Sequence, residues 1–599
     1  MSPHDSNLTV SDIHRKSIRR SLLLTSLLAF GMLSTSAMAE DRDGDNGPVV
    51  RTAEGPVRGF VQDGVYEFLG IPYAAPPVGA LRWMPPQPVA HWREPLNATK
   101  FANTCAQVTE LGVFAGPPNI NEDCLYLNVF TTRLGGGHSR HHRGSGNAVL
   151  VWIHGGGNVD GESNDYDGSK LATGGPLGTP TVVVTINYRL NLFGFLAHPA
   201  LDAEGHLFGN YGIMDTQAVL RWVQRNAAAF GGDPDRVALG GQSAGASDTG
   251  MNVISPLSAG LFSRAIFQSS PTSSAQPLSV GLARGMAFAT AAGCPTDASP
   301  GAAACLRALS ATQILQLVGT PNVTGPYVTG PMVDGTVVPI TPITAWNTGQ
   351  FNRMPIMGGN VQDEATFGIG ITEYFANPQV RVTAGQYTTN LTATYSGAEY
   401  PGGPNYPAGT AASVLAKYPY STMTPDNEDM VGTHPGACRN VLVDRLWAKW
   451  VPVYEYEFNY QKAPYYFPPL PGFAPLAAHT IDIQFLFPGW HGGVLGVNHT
   501  PQNTWTTGEI SGPEITLSDQ LVAAWTNFAS TGNPNRTGNS PWPQYTSATN
   551  APAVLSENVP SLGTFTNAQW STNHNCDFWT GNTLDPVTGN TGGILHFQP

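Results

Sequence analysis

Ser243 lies in the run Gly241-Gln242-Ser243-Ala244-Gly245. Small residues on both sides of a serine allow a sharp strand-to-helix turn that holds the hydroxyl out at a helix N-terminus. The chemistry this implies is acyl transfer, in which negative charge builds on a carbonyl oxygen. His154-Gly155-Gly156-Gly157 supplies a second part of that chemistry. Glycines let the backbone come close to a substrate, and the N–H groups of Gly156 and Gly157 with that of Ala244 would make a three-donor oxyanion hole. One such donor is worth about 3–4 kcal/mol in the transition state. A serine hydroxyl is a weak nucleophile at neutral pH, so it needs a base, and the base needs an orienting acid. Behind a turn of this kind the chain order is serine, acid, histidine. Glu364 in MGGNVQDEATFG is the candidate acid, with Asp363 competing beside it, and His479 in AAHTIDIQFLF is the candidate base.

The surrounding elements have to hold these groups. AVLVWI runs straight into His154-Gly155-Gly156-Gly157, and RVALGGQ runs into Ser243. TVVVTINYR, SRAIFQSS, MPIMGGN and WVPVYEYEF are further short apolar or β-branched runs, and LYLNVF is another strand candidate. Continuous apolar runs of this length read as strands buried on both faces. VVRTAEGPVRGF reads as a hairpin-like start to the domain, and residues 209–232 have helical periodicity ended by Gly231-Gly232. Strands alternating with helices predict an α/β fold with a large, mostly parallel sheet and helices on both faces. Residues 271–350 lack that rhythm and read as a helical or loop insertion over the active site.

The composition fits this reading. Apolar residues are 41% of the 599 positions, while charged residues are only 12%, about half the usual share of roughly 25%. The formal charge of −13 argues against nucleic acid as a partner and against docking on anionic lipid. Arg15, Lys16, Arg19 and Arg20 precede an apolar run from Leu22 to Leu33, and Ala37-Met38-Ala39 stands before Glu40. That arrangement predicts a secretory signal peptide over residues 1–39, export to the periplasm or beyond, and a single domain over 40–599. The apolar run is too short for a membrane span, which needs roughly 20 residues, and no second run is long enough, so no integral membrane association is expected. The six cysteines are even in number in a chain with an export signal, so disulfides are expected. Short loops lose less entropy on closing, which favours Cys105 with Cys124 and Cys294 with Cys305 and leaves Cys438 and Cys576 as a long-range pair. No cysteine or histidine grouping has zinc spacing. His138, His141 and His142 read as a solvated loop, and no metal or cofactor is expected.

The chain resembles the type-B carboxylesterases of the α/β-hydrolase fold, among them cholinesterases, fungal lipases and bacterial p-nitrobenzyl esterases. The likeness runs from about residue 48 to 579. It is carried by FLGIPYAAPPVGALRW, EDCLYLNVF, WIHGGG, NYRLNLFGFL, GNYGIMDTQAVLRWVQRNAAAFGGDP, GGQSAGA, PMVDG, DEATFG and CDFW. The resemblance implies Ser243 as nucleophile, Glu364 as acid and His479 as base, acting on a small-molecule carboxylic ester. It also implies surface loops closed by pairs like Cys105–Cys124 and Cys294–Cys305, and a further pair like Cys438–Cys576 found in cholinesterase-like members. Some positions depart from the pattern. Gln242 stands where many members have Glu, and the Cys105–Cys124 loop has no Trp, both of which count against choline esters. That loop is also short, which favours an esterase over an interfacial lipase. Ala365 and Thr480 replace expected glycines. The rival readings are a lipase, an esterase specialised for a polyester, carbamate, plant or toxin ester, and a catalytically inactive binding protein.

Overall fold

The computed structural model describes residues 47–580, apart from 109–117, 136–145, 270–274, 321–322, 325, 328–329, 376–380, 398–404, 421–424, 466–473 and 488–509. The expected signal peptide and the His138, His141 and His142 cluster lie outside the described residues. Eleven strands form one sheet. In chain order they are β1 (Phe60–Gln62), β2 (Val65–Pro72), β3 (Tyr126–Thr131), β4 (Asn147–Ile153), β5 (Thr181–Ile186), β6 (Gly232–Gln242), β7 (Arg264–Gln268), β8 (Ile356–Val361), β9 (Val453–Phe458), β10 (Pro552–Glu557) and β11 (Gly563–Thr566). Across the sheet the order is β11-β10-β9-β8-β7-β6-β4-β5-β3-β2-β1.

The seven strands from β10 to β5 run parallel, and the outer strands at both edges pair antiparallel. Sequence explains the difference. Strands β5, β8 and β9 are buried at every position, as a sheet covered on both faces requires. Strand β2 alternates between buried and half-buried residues near one edge, where one side meets solvent.

Alternate residues of β4 enter two different cores. Val149, Val151 and Ile153 join the core that holds Ile213 and Leu220 of helix α1 (Tyr211–Asn226) and Met251 of helix α2 (Ala244–Ile254). Ala148, Leu150 and Trp152 join the core that holds Phe367 of helix α3 (Ala365–Phe375) and Leu521, Trp525 and Phe528 of a 19-residue helix, Pro513–Thr531. The molecule is therefore an α/β fold with helices on both faces of a mainly parallel sheet.

Residues 278–348 hold four helices, Leu278–Ala291, Pro300–Ala308, Ala311–Val318 and Pro342–Thr348. Disulfides join Cys105 to Cys124, Cys294 to Cys305 and Cys438 to Cys576. Cys438 lies in helix α4 (Pro425–Ala448). With α5 the helix Pro513–Thr531, Cys576 opens helix α6 (Cys576–Thr580). Among the described residues no single helix is long and apolar enough to cross a membrane.

Candidate active site

Strand β6 ends at Gln242 and helix α2 begins at Ala244, so the whole turn is made at Ser243. Its backbone has φ 57° and ψ −122°, a conformation that costs an ordinary residue of order 1–3 kcal/mol and clusters at functional sites. Its N–H is held by the carbonyl of Gln268 at the end of β7, 2.9 Å away. The flanking glycines make the turn possible. A Cβ on Gly245 would lie 2.1 Å from the carbonyl oxygen of Ile153, and one on Gly241 would lie 2.5 Å from the carbonyl carbon of Gly245. Ser243 is half-buried, and Ala244, as the first residue of the helix, has an N–H with no intrahelical partner.

The loop after β4 packs against this turn. A Cβ on Gly155 would come within 3.1 Å of the Ser243 Cβ. Gly156 has φ 101° and Gly157 φ 63°, both in the left-handed region where glycine costs least. The carbonyl of Gly156 accepts from the N–H groups of Val159 and Asp160 at 3.0 and 3.1 Å, which closes the loop into a tight turn.

His479 Nδ1 donates to Glu364 Oε2. The other Glu364 oxygen, Oε1, accepts from the N–H of Val361, 3.1 Å away at the end of β8. The side-chain amide of Gln242 lies 3.1 Å from His479 Nε2, so the second nitrogen of the imidazole meets the residue next to Ser243. Asp363 is engaged elsewhere. Its Oδ2 accepts from the N–H of Ala477 and from Gln461 Nε2, each at 2.9 Å. Its own N–H donates to the carbonyl of Ala477 at 3.0 Å. Asp363 thus ties the loop after β8 to the segment leading into His479, and it leaves Glu364 to meet the imidazole.

Burial lowers the pKa of His479, but the Glu364 charge and hydrogen bond, with Asp482 adding to them, outweigh burial and raise it above the ordinary value of 6.5. Burial also pushes the Asp482 carboxyl up to about 7, with the Glu364 charge adding to it. The two positions where glycine was expected behave differently. Thr480 has φ 77° and is fully buried, so a β-branched residue occupies a left-handed position. Ala365 opens α3, and its N–H is held by Asp429 Oδ1 and Thr433 Oγ1 of α4 at 3.1 and 3.0 Å.

The model of the carboxylesterase family matches residues 46–579. The chain belongs to that family. It is 33% identical over 526 residues to the fumonisin B1 esterase of Sphingopyxis macrogoltabida, covering 86% of this chain and 88% of that one. It is 32% identical over 540 residues to the acylcarnitine hydrolase of Mus musculus, covering 86% and 89%. Among solved structures, a thermophilic PNB esterase superposes with a TM-score of 0.67 at 26% identity, covering 88% of this chain and 99% of its own. The carboxylesterase of Geobacillus stearothermophilus gives a TM-score of 0.66 at 29% identity, with the same coverage. This carboxylesterase is a carboxylic ester hydrolase of the α/β-hydrolase fold.

Several residues around the site carried no signal of their own in the sequence. Gln461 tethers Asp363 and Asp429 holds the N–H of Ala365, yet each is an isolated polar residue far along the chain from what it contacts. Asp482, three residues after His479 in HTID, is the one that proximity could have marked. Among the described residues no group of three or more His, Cys, Asp or Glu is arranged to hold a metal ion.

Proposed function

We propose that this carboxylesterase works through an acyl-enzyme on Ser243, with His479 as base, Glu364 as its orienting acid, and Gly156, Gly157 and Ala244 as the oxyanion donors. The observation that carries the reading is the His479–Glu364 hydrogen bond set against the Ser243 turn, with Gln242 in contact with the second imidazole nitrogen. Ser243 Oγ attacks the ester carbonyl carbon while its proton passes to His479 Nε2. Glu364 fixes the ring through Nδ1 and stabilises the imidazolium. The tetrahedral oxyanion lies against the backbone donors. Its collapse breaks the carbon–alkoxy bond, and the alcohol leaves with the proton from His479. Water then attacks the acyl carbon, His479 takes its proton and returns it to Ser243 Oγ, and the acid is released.

Gln242 is neutral where an acid would favour a cationic substrate, which supports neutral small-molecule esters over choline-type ones. The export of the enzyme by cleavage after Ala39, to the periplasm or beyond, belongs to the same reading and rests on the N-terminal sequence. A second reading is supported by the 33% identity to a fumonisin B1 esterase: an esterase specialised for a toxin ester. Ser243→Ala tests the mechanism, and its expected result is loss of p-nitrophenyl ester hydrolysis in a protein that still folds. Retained turnover would overturn it. A series of p-nitrophenyl esters from acetate to palmitate, with and without emulsion and with fumonisin B1 alongside, separates a short-chain esterase, a lipase and a toxin esterase.

A further inference from the structure

Asp248 lies in α2 five residues after the nucleophile candidate, and it is completely buried. Its Oδ1 accepts from Asn158 Nδ2 at 3.1 Å, and its Oδ2 has no hydrogen-bond partner among the described residues. A buried carboxyl with an unpartnered oxygen costs stability. Core packing alone gives no reason for one in a helix whose buried residues include Gly245, Ala246 and Met251.

What Asp248 holds gives the reason. Asn158 directly follows Gly156-Gly157 and is itself in the left-handed region at φ 61°. Its side-chain Oδ1 lies 3.0 Å from Tyr188 Oη, and the same hydroxyl lies 3.1 Å from the carbonyl of His154. The Tyr188 ring stacks on the His154 ring with centroids 4.6 Å apart. The carbonyl of Asn158 accepts from the N–H of Asn191 at 2.6 Å. His154 and Asn158 therefore bracket the three glycines, and Asp248 with Tyr188 ties that bracket to the helix that carries Ser243. Glycine has the largest conformational freedom of any residue, so the two N–H donors keep their aim only if both ends of the loop are fixed.

We propose that Asp248 is a positioning residue for the oxyanion hole, acting through Asn158 to keep the Gly156 and Gly157 donors registered on the Ser243 turn. The proposal rests on the reading of Ser243 as nucleophile and of these glycines as donors. A misaligned donor raises the barrier of the chemical step and leaves ground-state binding nearly unchanged.

The test uses the full chain with p-nitrophenyl butyrate as substrate and a fluorophosphonate as probe of the serine. Asp248→Ala is expected to lower kcat by about 10- to 100-fold with KM within about twofold, and to slow labelling of Ser243 in parallel. Asp248→Asn keeps an acceptor for Asn158 and is expected to restore kcat to within about threefold of the native enzyme. Asn158→Ala, which removes the same hydrogen bond should Asp248→Ala not fold, is expected to show the same split between kcat and KM. The double variant is expected to be no worse than the poorer single, because the two act through one contact. The proposal is overturned if folded Asp248→Ala or Asn158→Ala melts lower but keeps native kcat, if Asp248→Asn is as impaired as Asp248→Ala, or if the two losses multiply. Labelling of the native enzyme at a residue other than Ser243 would instead defeat the reading of the nucleophile. Labelling at Ser243 with an unchanged kcat in the variants defeats the role of Asp248 alone.

Discussion

In the proposed mechanism His479 is the residue on which the pH behaviour of this enzyme turns. As a base it would work only when neutral. Burial lowers its pKa, but Glu364 and Asp482 raise it above 6.5, so the ring stays protonated to a higher pH than a free imidazole. Activity is therefore lost as pH falls through that raised value, and kcat/KM is expected to rise with pH to a plateau whose midpoint lies above 6.5. A midpoint at or below 6.5 in a pH–rate profile would contradict the assignment. Glu364→Gln removes the charge and leaves the ring free to take the wrong tautomer. It is expected to lower kcat by about 10³- to 10⁴-fold in steady-state assays. Asp363→Asn is expected to act on the fold, since the Asp363 carboxylate bonds to Ala477 and Gln461. Gln242→Glu would set a carboxylate beside His479 Nε2, where Gln242 now lies 3.1 Å away. It is expected to move the acid midpoint up by about one unit or more. The residues alone left Glu364 and Asp363 open, because the two are adjacent and both are acids, and only the resemblance favoured Glu364. A non-local contact settles their placement: Asp363 bridges to Ala477, which the chain brings alongside only when folded.

At the level of elements, the loop after β4 and the turn after β6 have to meet within tenths of an ångström. Gly156 and Gly157 test this by contrast. A Cβ at Gly156 would lie 2.2 Å from the carbonyl of Asp160, whereas at Gly157 the nearest atom is Val159 Cγ2 at 3.5 Å. Both positions have positive φ, but only Gly156→Ala forces the backbone to move. Gly156→Ala is expected to lower kcat by about 10²- to 10³-fold. Gly157→Ala is expected to cost about 1–3 kcal/mol of stability from strain with a much smaller loss of kcat. Equal kcat losses would show that steric fit does not govern the loop. The strands that carry these loops were readable because β4, β5 and β6 are long apolar runs ending in glycines or polar turn residues. Strand β11 was not, since GTFT is four residues at the sheet edge, and β10 was not, since PAVLSE opens on a proline and holds only three apolar residues before Ser556 and Glu557. Helix α4 was not readable either. Its first half is polar and contains Pro435, so no helical apolar period shows, and what holds it is packing against α3 and its disulfide to α6.

Across the whole molecule, stability is shaped by long-range closure and by buried acids. The Cys438–Cys576 bond spans 138 positions and the Cys294–Cys305 bond spans 11. Loop-closure entropy gives about 5 kcal/mol for the first and about 3 for the second. The double variant Cys438→Ser/Cys576→Ser is therefore expected to lose more in urea unfolding than Cys294→Ser/Cys305→Ser. Burial pushes the Asp444 carboxyl up to about 8, and burial with the neighbouring Asp444 charge holds Glu455 well above its usual range. The folded chain keeps protons there that the unfolded chain releases above about pH 4. Their contribution is full in acid and lost as pH rises toward 8. Asp444→Asn is expected to flatten the fall in unfolding midpoint between pH 5 and 8.5, and an unchanged slope would count against it. The central claim is the acyl-enzyme on Ser243, and the intact protein tests it most directly. The purified enzyme is incubated with a fluorophosphonate, digested, and the label mapped by mass spectrometry. One adduct per chain on the Ser243 peptide, with activity lost in step, is the predicted result. An adduct on another residue, or full activity in protein labelled at Ser243, would contradict the account.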